Sequence, residues 1–205
     1  LTVLSRVWLT VPAVAVPLRN AALRRVRDAS ADERLALHWA MISAAYPFFV
    51  DTGSVVGRLL RVQGNASLSQ VVRRVAETWG DRSTLQRAVQ LVCRSYVAWR
   101  VLQEGPTRGV YEPARGRLAV GSAAGRLLLE GLLLGGGRVA VPLAELVRHP
   151  ALFPFDVELR GGELRASPEF SVDRQGHDVD VVTLAMVKTV RKAIQQLGLD
   201  LETKE

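Results

Sequence analysis

The sequence predicts a mainly helical α+β protein. Three observations carry that reading. Two amphipathic stretches, 67–79 and 83–99, show apolar residues at spacings of three and four on either side of Gly80. Dense apolar runs flank them, over 33–62 and 123–134, again with helical spacing. Beyond residue 135 the chain changes to short alternating segments separated by glycines, the pattern of a small antiparallel sheet. With 48% hydrophobic residues in 205, the chain can bury one substantial core or two small ones. The expected organisation is a basic N-terminal segment (1–32), a helical domain with a β-hairpin (33–135) and a small α+β C-terminal domain (136–205).

Residues up to Asp28 contain clustered Arg19, Arg24, Arg25 and Arg27. They read as a packing segment with a solvated basic face, or as an arm that follows a phosphate backbone. Asp32 is placed to cap a helix over 33–46, Pro47 interrupts it, and a second helical piece covers 51–62. Trp39, Met41, Ile42, Tyr46, Phe48 and Phe49 mark core or a dimer interface. Ser67 and Gln70 have capping-box spacing, and Leu68, Val71, Val72, Val75 and Trp79 fall on one helical face before Gly80 ends the helix. Ser83 and Gln86 repeat the box. The helix that follows carries Leu85, Ala88, Val89, Val92, Tyr96 and Trp99 on one side, and Gln86, Arg87, Gln90 and Arg94 on the other.

A short turn around Gly80, Asp81 and Arg82 joins the two helices, as in a helix-turn-helix. A hairpin is expected next: a strand over 109–112, a turn at 113–116 and a returning strand over 117–120, decorated by Arg108, Arg115 and Arg117. In element order and charge placement, residues 33–120 resemble the winged-helix superfamily. The resemblance implies a second helix that enters the major groove and a hairpin that lies on the backbone or minor groove. The residues expected at the start of that helix are Arg82, Ser83, Thr84, Gln86 and Arg87, continuing through Gln90 and Arg94. Arginine suits guanine, glutamine suits adenine, and the hydroxyls suit bases or phosphates. Arg108, Arg115 and Arg117 of the hairpin, with Arg24 and Arg25 of the N-terminal segment, complete the expected surface. The superfamily also includes domains that bind only proteins.

After the hairpin, Ser122 is placed to cap a buried helix over 123–134, and Gly135, Gly136 and Gly137 read as a flexible joint. Pro142 sits where a short helix to His149 would begin. A hairpin with a Gly161-Gly162 turn is expected over 156–166, strands over 168–173 and 179–184, a closing helix over 188–197 and a tail over 199–205.

Charge is unevenly placed. Residues 1–135 hold 18 arginines against 9 carboxylates, a net of +9, whereas 136–205 hold 9 basic and 11 acidic residues, a net of −2. The basic part contains the helix pair, as nucleic-acid binding requires. Of the 27 basic residues 24 are Arg, a preference that a GC-rich genome would produce, although such bias does not explain the asymmetry. Cys93 stands alone, so no internal disulfide forms, and a reducing cytoplasm is expected. His38, His149 and His177 lie far apart, without metal-site spacing. Carboxylates at 156, 158, 163, 173, 178 and 180 lack the spacing of a magnesium nuclease. The runs 1–18 and 118–134 are broken by charge or proline, so no membrane span or secretion signal is expected. The favoured expectation is a non-enzymatic protein without cofactor or metal, dimeric on double-stranded DNA. The alternative is a docking subunit of a larger bacterial complex for restriction, phage defence or chromosome organisation, and a third reading is a magnesium-dependent nuclease using the C-terminal carboxylates.

Overall fold

Capping chemistry sets where the helices of this chain begin. The structure, a computed structural model, describes residues 2–138, 140–176 and 179–187. The N-terminal segment is helical: α1 (Thr2–Trp8), a 3-10 turn (Ala13–Ala15) and α2 (Val16–Val26). Helix α3 (Ala31–Ala45) starts at Ser30 rather than Asp32. The Ser30 hydroxyl accepts from Glu33 N at 3.2 Å and the Glu33 carboxylate accepts from Ser30 N at 3.1 Å, a full capping box. Pro47 opens α4 (Pro47–Gln63) instead of merely breaking α3, because the first helical position needs no N–H.

Strand β1 (Ala66–Ser67) leads into α5 (Leu68–Trp79), and the expected box forms: Gln70 N donates to Ser67 Oγ and Ser67 N donates to Gln70 Oε1, each at 3.2 Å. Gly80 (φ 76°) terminates α5 as its sequence position indicated. The second box does not form. Leu85 N donates to Arg82 O and Ala88 N to Thr84 O, so a backbone turn supplies the first acceptors and α6 (Leu85–Ala98) begins two residues after Ser83.

The hairpin lies earlier than the sequence reading placed it. Strand β2 (Leu102–Glu104) and strand β3 (Val110–Pro113) pair around a turn at 105–109, and β1 adds to β3 to give the antiparallel order β1-β3-β2. The cause is the end of α6. Arg100 adopts φ 56°, Val101 N bonds back to Tyr96 O, and the chain leaves the helix in time for 102–104 to become a strand. The Gly105-Pro106 pair and Gly109 (φ 78°) then make the turn, so residues 113–116 are not its tip. Strand β4 (Leu118–Ala119) runs parallel to β6 (Phe155–Asp156) and does not return along β3.

Helix α7 (Ser122–Gly136) packs along α3. Gly121 is its cap residue, while Ser122 Oγ donates to Glu163 Oε1 at 2.8 Å. Gly135 and Gly136 belong to α7 rather than to a joint, and a Cβ on Gly131 or Gly135 would lie 2.2 Å from Ala40 O or 1.8 Å from Ser43 O. These glycines permit close helix approach. Strand β5 (Ala140–Pro142), α8 (Leu143–Val147) and a 3-10 turn (Pro150–Leu152) follow. Residues 161–165 form α9 (Gly161–Arg165) instead of a hairpin turn, with Glu163 Oε2 accepting from Arg160 N at 2.9 Å. Strands β7 (Phe170–Gln175) and β8 (Val179–Leu184) occupy the expected region and pair with β5 in the antiparallel order β5-β8-β7. The expected closing helix over 188–197 and the tail lie outside the described residues.

The buried side chains form one continuous cluster from Val7 to Leu184. At its centre the Trp39 ring stacks on Tyr96 at 5.0 Å and meets Phe49, Phe153 and Phe155 edge-on, while its Nε1 donates to Ala151 O at 3.1 Å. The result is a mainly helical α+β protein with small antiparallel sheets.

Candidate functional site

Helix α6 commits one face to the core and leaves the other outside. Leu85, Val89, Cys93 and Tyr96 are buried at spacings of three and four. The outward side therefore presents Gln86, Arg87, Gln90, Leu91 and Arg94. Helix α5 is clamped to α4 beside it: Trp79 Nε1 donates to Asp51 Oδ2 at 2.9 Å and the Trp79 ring meets Phe48 edge-on at 5.2 Å. The hairpin is tied to the start of α5 by Leu68 N donating to Gly109 O at 2.7 Å and by the pairing of Ser67 with Val110. Two helices and a hairpin are thus held as one rigid frame.

Between them runs a groove of about 1110 Å³. Gln86, Gln90 and Arg94 line it from α6, Arg73 from α5, and Thr107 and Arg108 from the hairpin turn, with Asp81 and Glu104 the acids present. A shallower patch adjoins it, made by Ser83, Arg87 and Leu91 with the same α6 residues. Arg73, Arg87, Arg94 and Arg108 are exposed, and among the described residues none forms an ion pair. Each keeps a full set of donors available, in a fork that matches phosphate or the guanine edge. Burial raises the Tyr111 hydroxyl above its ordinary range, with Cys93 and Glu104 adding to it, so this wall of the groove carries no phenolate charge.

The other expected site residues fall elsewhere. Arg82 and Thr84 sit exposed in the turn before α6 and do not line the groove. Arg115 Nη1 is 3.0 Å from Asp32 Oδ1, at the start of α3. Arg117 lies 3.5 Å from Asp156 and also donates to Phe155 O. Both follow the hairpin rather than decorating it, because β3 ends at Pro113. They line a separate cleft with Arg61 and Arg148. Arg24 and Arg25 line clefts between α2 and the start of α7. The single basic face expected from Arg82 through Arg117 is therefore divided. Arg73, off the apolar face of α5, is the groove residue absent from the expected surface. The Gly105-Pro106 pair was the available signal: it moves the turn, and with it the partner surface of Arg73.

Cys93 is fully buried and burial pushes its thiol up to about 12, so it is a packing residue. His38 accepts from Trp8 Nε1 through Nδ1 at 3.0 Å and sits between Trp8 and Trp99, and burial lowers its pKa. Among the described residues no group of three His, Cys, Asp or Glu is placed to hold a metal ion, and no helix is long and apolar enough to cross a membrane. No protein-family model, curated protein or solved structure matches the chain.

Proposed function

We propose that the α6 groove binds double-stranded DNA, with α6 as the reading helix and the β2–β3 hairpin as a wing. The observation that carries this reading is the grouping of Arg73, Arg94 and Arg108, which form no ion pair among the described residues, with Gln86 and Gln90 in one groove, beside Arg87. The order helix, strand, helix, turn, helix, hairpin over 47–113, with β1 on the outer side of the hairpin, is that of winged-helix domains, which supports the same reading. Gln86, Gln90 and Arg94 follow at successive spacings of four, so they form a row able to follow a groove edge. A single unit of this kind buries little area, so two copies per site belong to the proposal. The protein acts without catalysis, as a regulator or as the DNA-holding subunit of an assembly.

A fluorescence titration of labelled duplex against salt tests it. Affinity should fall steeply as salt rises, with a log–log slope of about −7 if each of two copies neutralises four phosphates. No binding at low salt would sink the reading. A second reading, a protein-docking face, is favoured by one observation: Leu91 is 56% exposed in the middle of the α6 patch, where an apolar partner side chain would bury it. Leu91→Ser should leave duplex affinity nearly unchanged under the first reading and abolish partner capture under the second.

A further inference from the structure

Strand β3 has one end in the α6 groove, at Val110 and Tyr111, and its other end, Pro113, in a second cleft of about 430 Å³. That cleft is built by close packing. A Cβ on Gly57 of α4 would lie 2.0 Å from Pro150 O, so the 150–154 segment sits directly on α4 and forms a wall. Leu60, Val101, Leu118, Phe153 and Pro154 give the cleft an apolar floor. Among the described residues its polar side chains are all donors, Arg61, Arg115, Arg117, Arg148 and His149, with no Asp or Glu.

These donors are arranged rather than merely numerous. Arg115 and Arg117 are oriented by Asp32 and Asp156, which stand outside the lining. Arg61 and Arg148 are exposed and form no ion pair among the described residues. The Nδ1 of His149 accepts from Ala151 N at 3.2 Å, which leaves the ring proton on Nε2. Burial first, then Arg58 and Arg138, push its pKa down to about 4, so it remains a neutral donor near pH 7. A cationic rim recognises phosphate, and a floor of proline and phenylalanine rings accepts a flat apolar body. The volume lies within the usual range for a small-molecule site, roughly 300–1,000 Å³.

We propose that this cleft binds a small phosphorylated anion with a planar body, of the nucleoside phosphate class, with the phosphates on Arg61 and Arg148 and the ring on the Phe153–Pro154 floor. The inference stands apart from the reading of the α6 groove, since the two sites share no lining residue.

Isothermal titration of the full chain with ADP, GDP and inorganic pyrophosphate tests it, beside the duplex titration. At least one nucleotide should bind saturably at one per chain, with pyrophosphate at least about ten-fold weaker. Arg61→Ala and Arg148→Ala should each weaken the nucleotide by about five-fold or more while leaving the melting temperature unchanged. Arg94→Ala should leave nucleotide binding intact. Four results overturn the proposal: no saturable nucleotide binding into the millimolar range; pyrophosphate as tight as nucleotide; indifference to both cleft variants; or loss of duplex affinity in those variants equal to that of Arg94→Ala, which would make the cleft part of a nucleic-acid track. Failure of duplex binding alone leaves it standing.

Discussion

Glu130 shows how a single side chain couples packing to pH. It lies on α7 with 6% exposure, and burial, reinforced by Glu169, pushes its carboxyl up to about 7. The folded protein thus holds a proton that the unfolded chain releases in the ordinary carboxylate range. Stability from this group is complete at acid pH and is lost as pH rises through about 7. Glu130→Gln should remove that loss, stabilising the protein at pH 8 by up to about 3 kcal/mol and hardly at pH 4, as read by urea unfolding at both values. His149 runs in the opposite sense. Its pKa is depressed to about 4, so its contribution disappears as pH falls from the ordinary histidine range. Cys93 should resist alkylation by iodoacetamide in the folded protein and react on unfolding, because its thiol is buried and its pKa stands near 12. Val89 and Tyr96 were legible as the buried stripe of α6 from helical spacing, whereas Cys93 between them was not assigned to it. The burial of Glu130 was legible only as an exception in an apolar helix, since spacing does not reveal that it lines a cleft with α2 and the segment before β7.

At the scale of elements, local chemistry decided most boundaries. The Ser67 capping box was readable because both partners lie within one turn, and Ser67→Ala should cost about 1 kcal/mol in thermal or denaturant unfolding. The end of α6 was hidden because an arginine occupies the left-handed position where glycine is usual. That residue displaced the hairpin and with it the expected roles of Arg115 and Arg117. Relief of the Arg100 conformation predicts that Arg100→Gly raises stability by up to about 1 kcal/mol, whereas the same change within α6 would lower it. Gly135 looked like part of a flexible joint and Gly131 carried no signal of its own, yet each sits where α7 nearly touches α3 backbone. Gly131→Ala should destabilise by about 1–3 kcal/mol, measured in the same assay.

At the scale of the whole molecule, the mainly helical α+β class was legible because periodicity and glycine placement are properties of the chain itself. The surface was not, because it depends on which elements meet. Arg94, Gln86 and Gln90 share a helix face, so their grouping followed from spacing. Arg73 and Arg108 join them only through the pairing of β1 with β3 and the Leu68–Gly109 hydrogen bond. Arg115 and Arg117 were assigned by proximity in sequence to a hairpin that the structure places eight residues earlier at its turn, over 105–109 rather than 113–116. The division of the basic residues between groove and cleft gives the most direct test of the account: duplex affinity of Arg94→Ala and Arg108→Ala against Arg115→Ala, at one fixed low salt concentration. Each groove variant should lose about ten-fold, roughly 1.4 kcal/mol, while Arg115→Ala, already held by Asp32, should stay within about two-fold of the parent. Equal losses in all three, or a loss confined to Arg115→Ala, would contradict it.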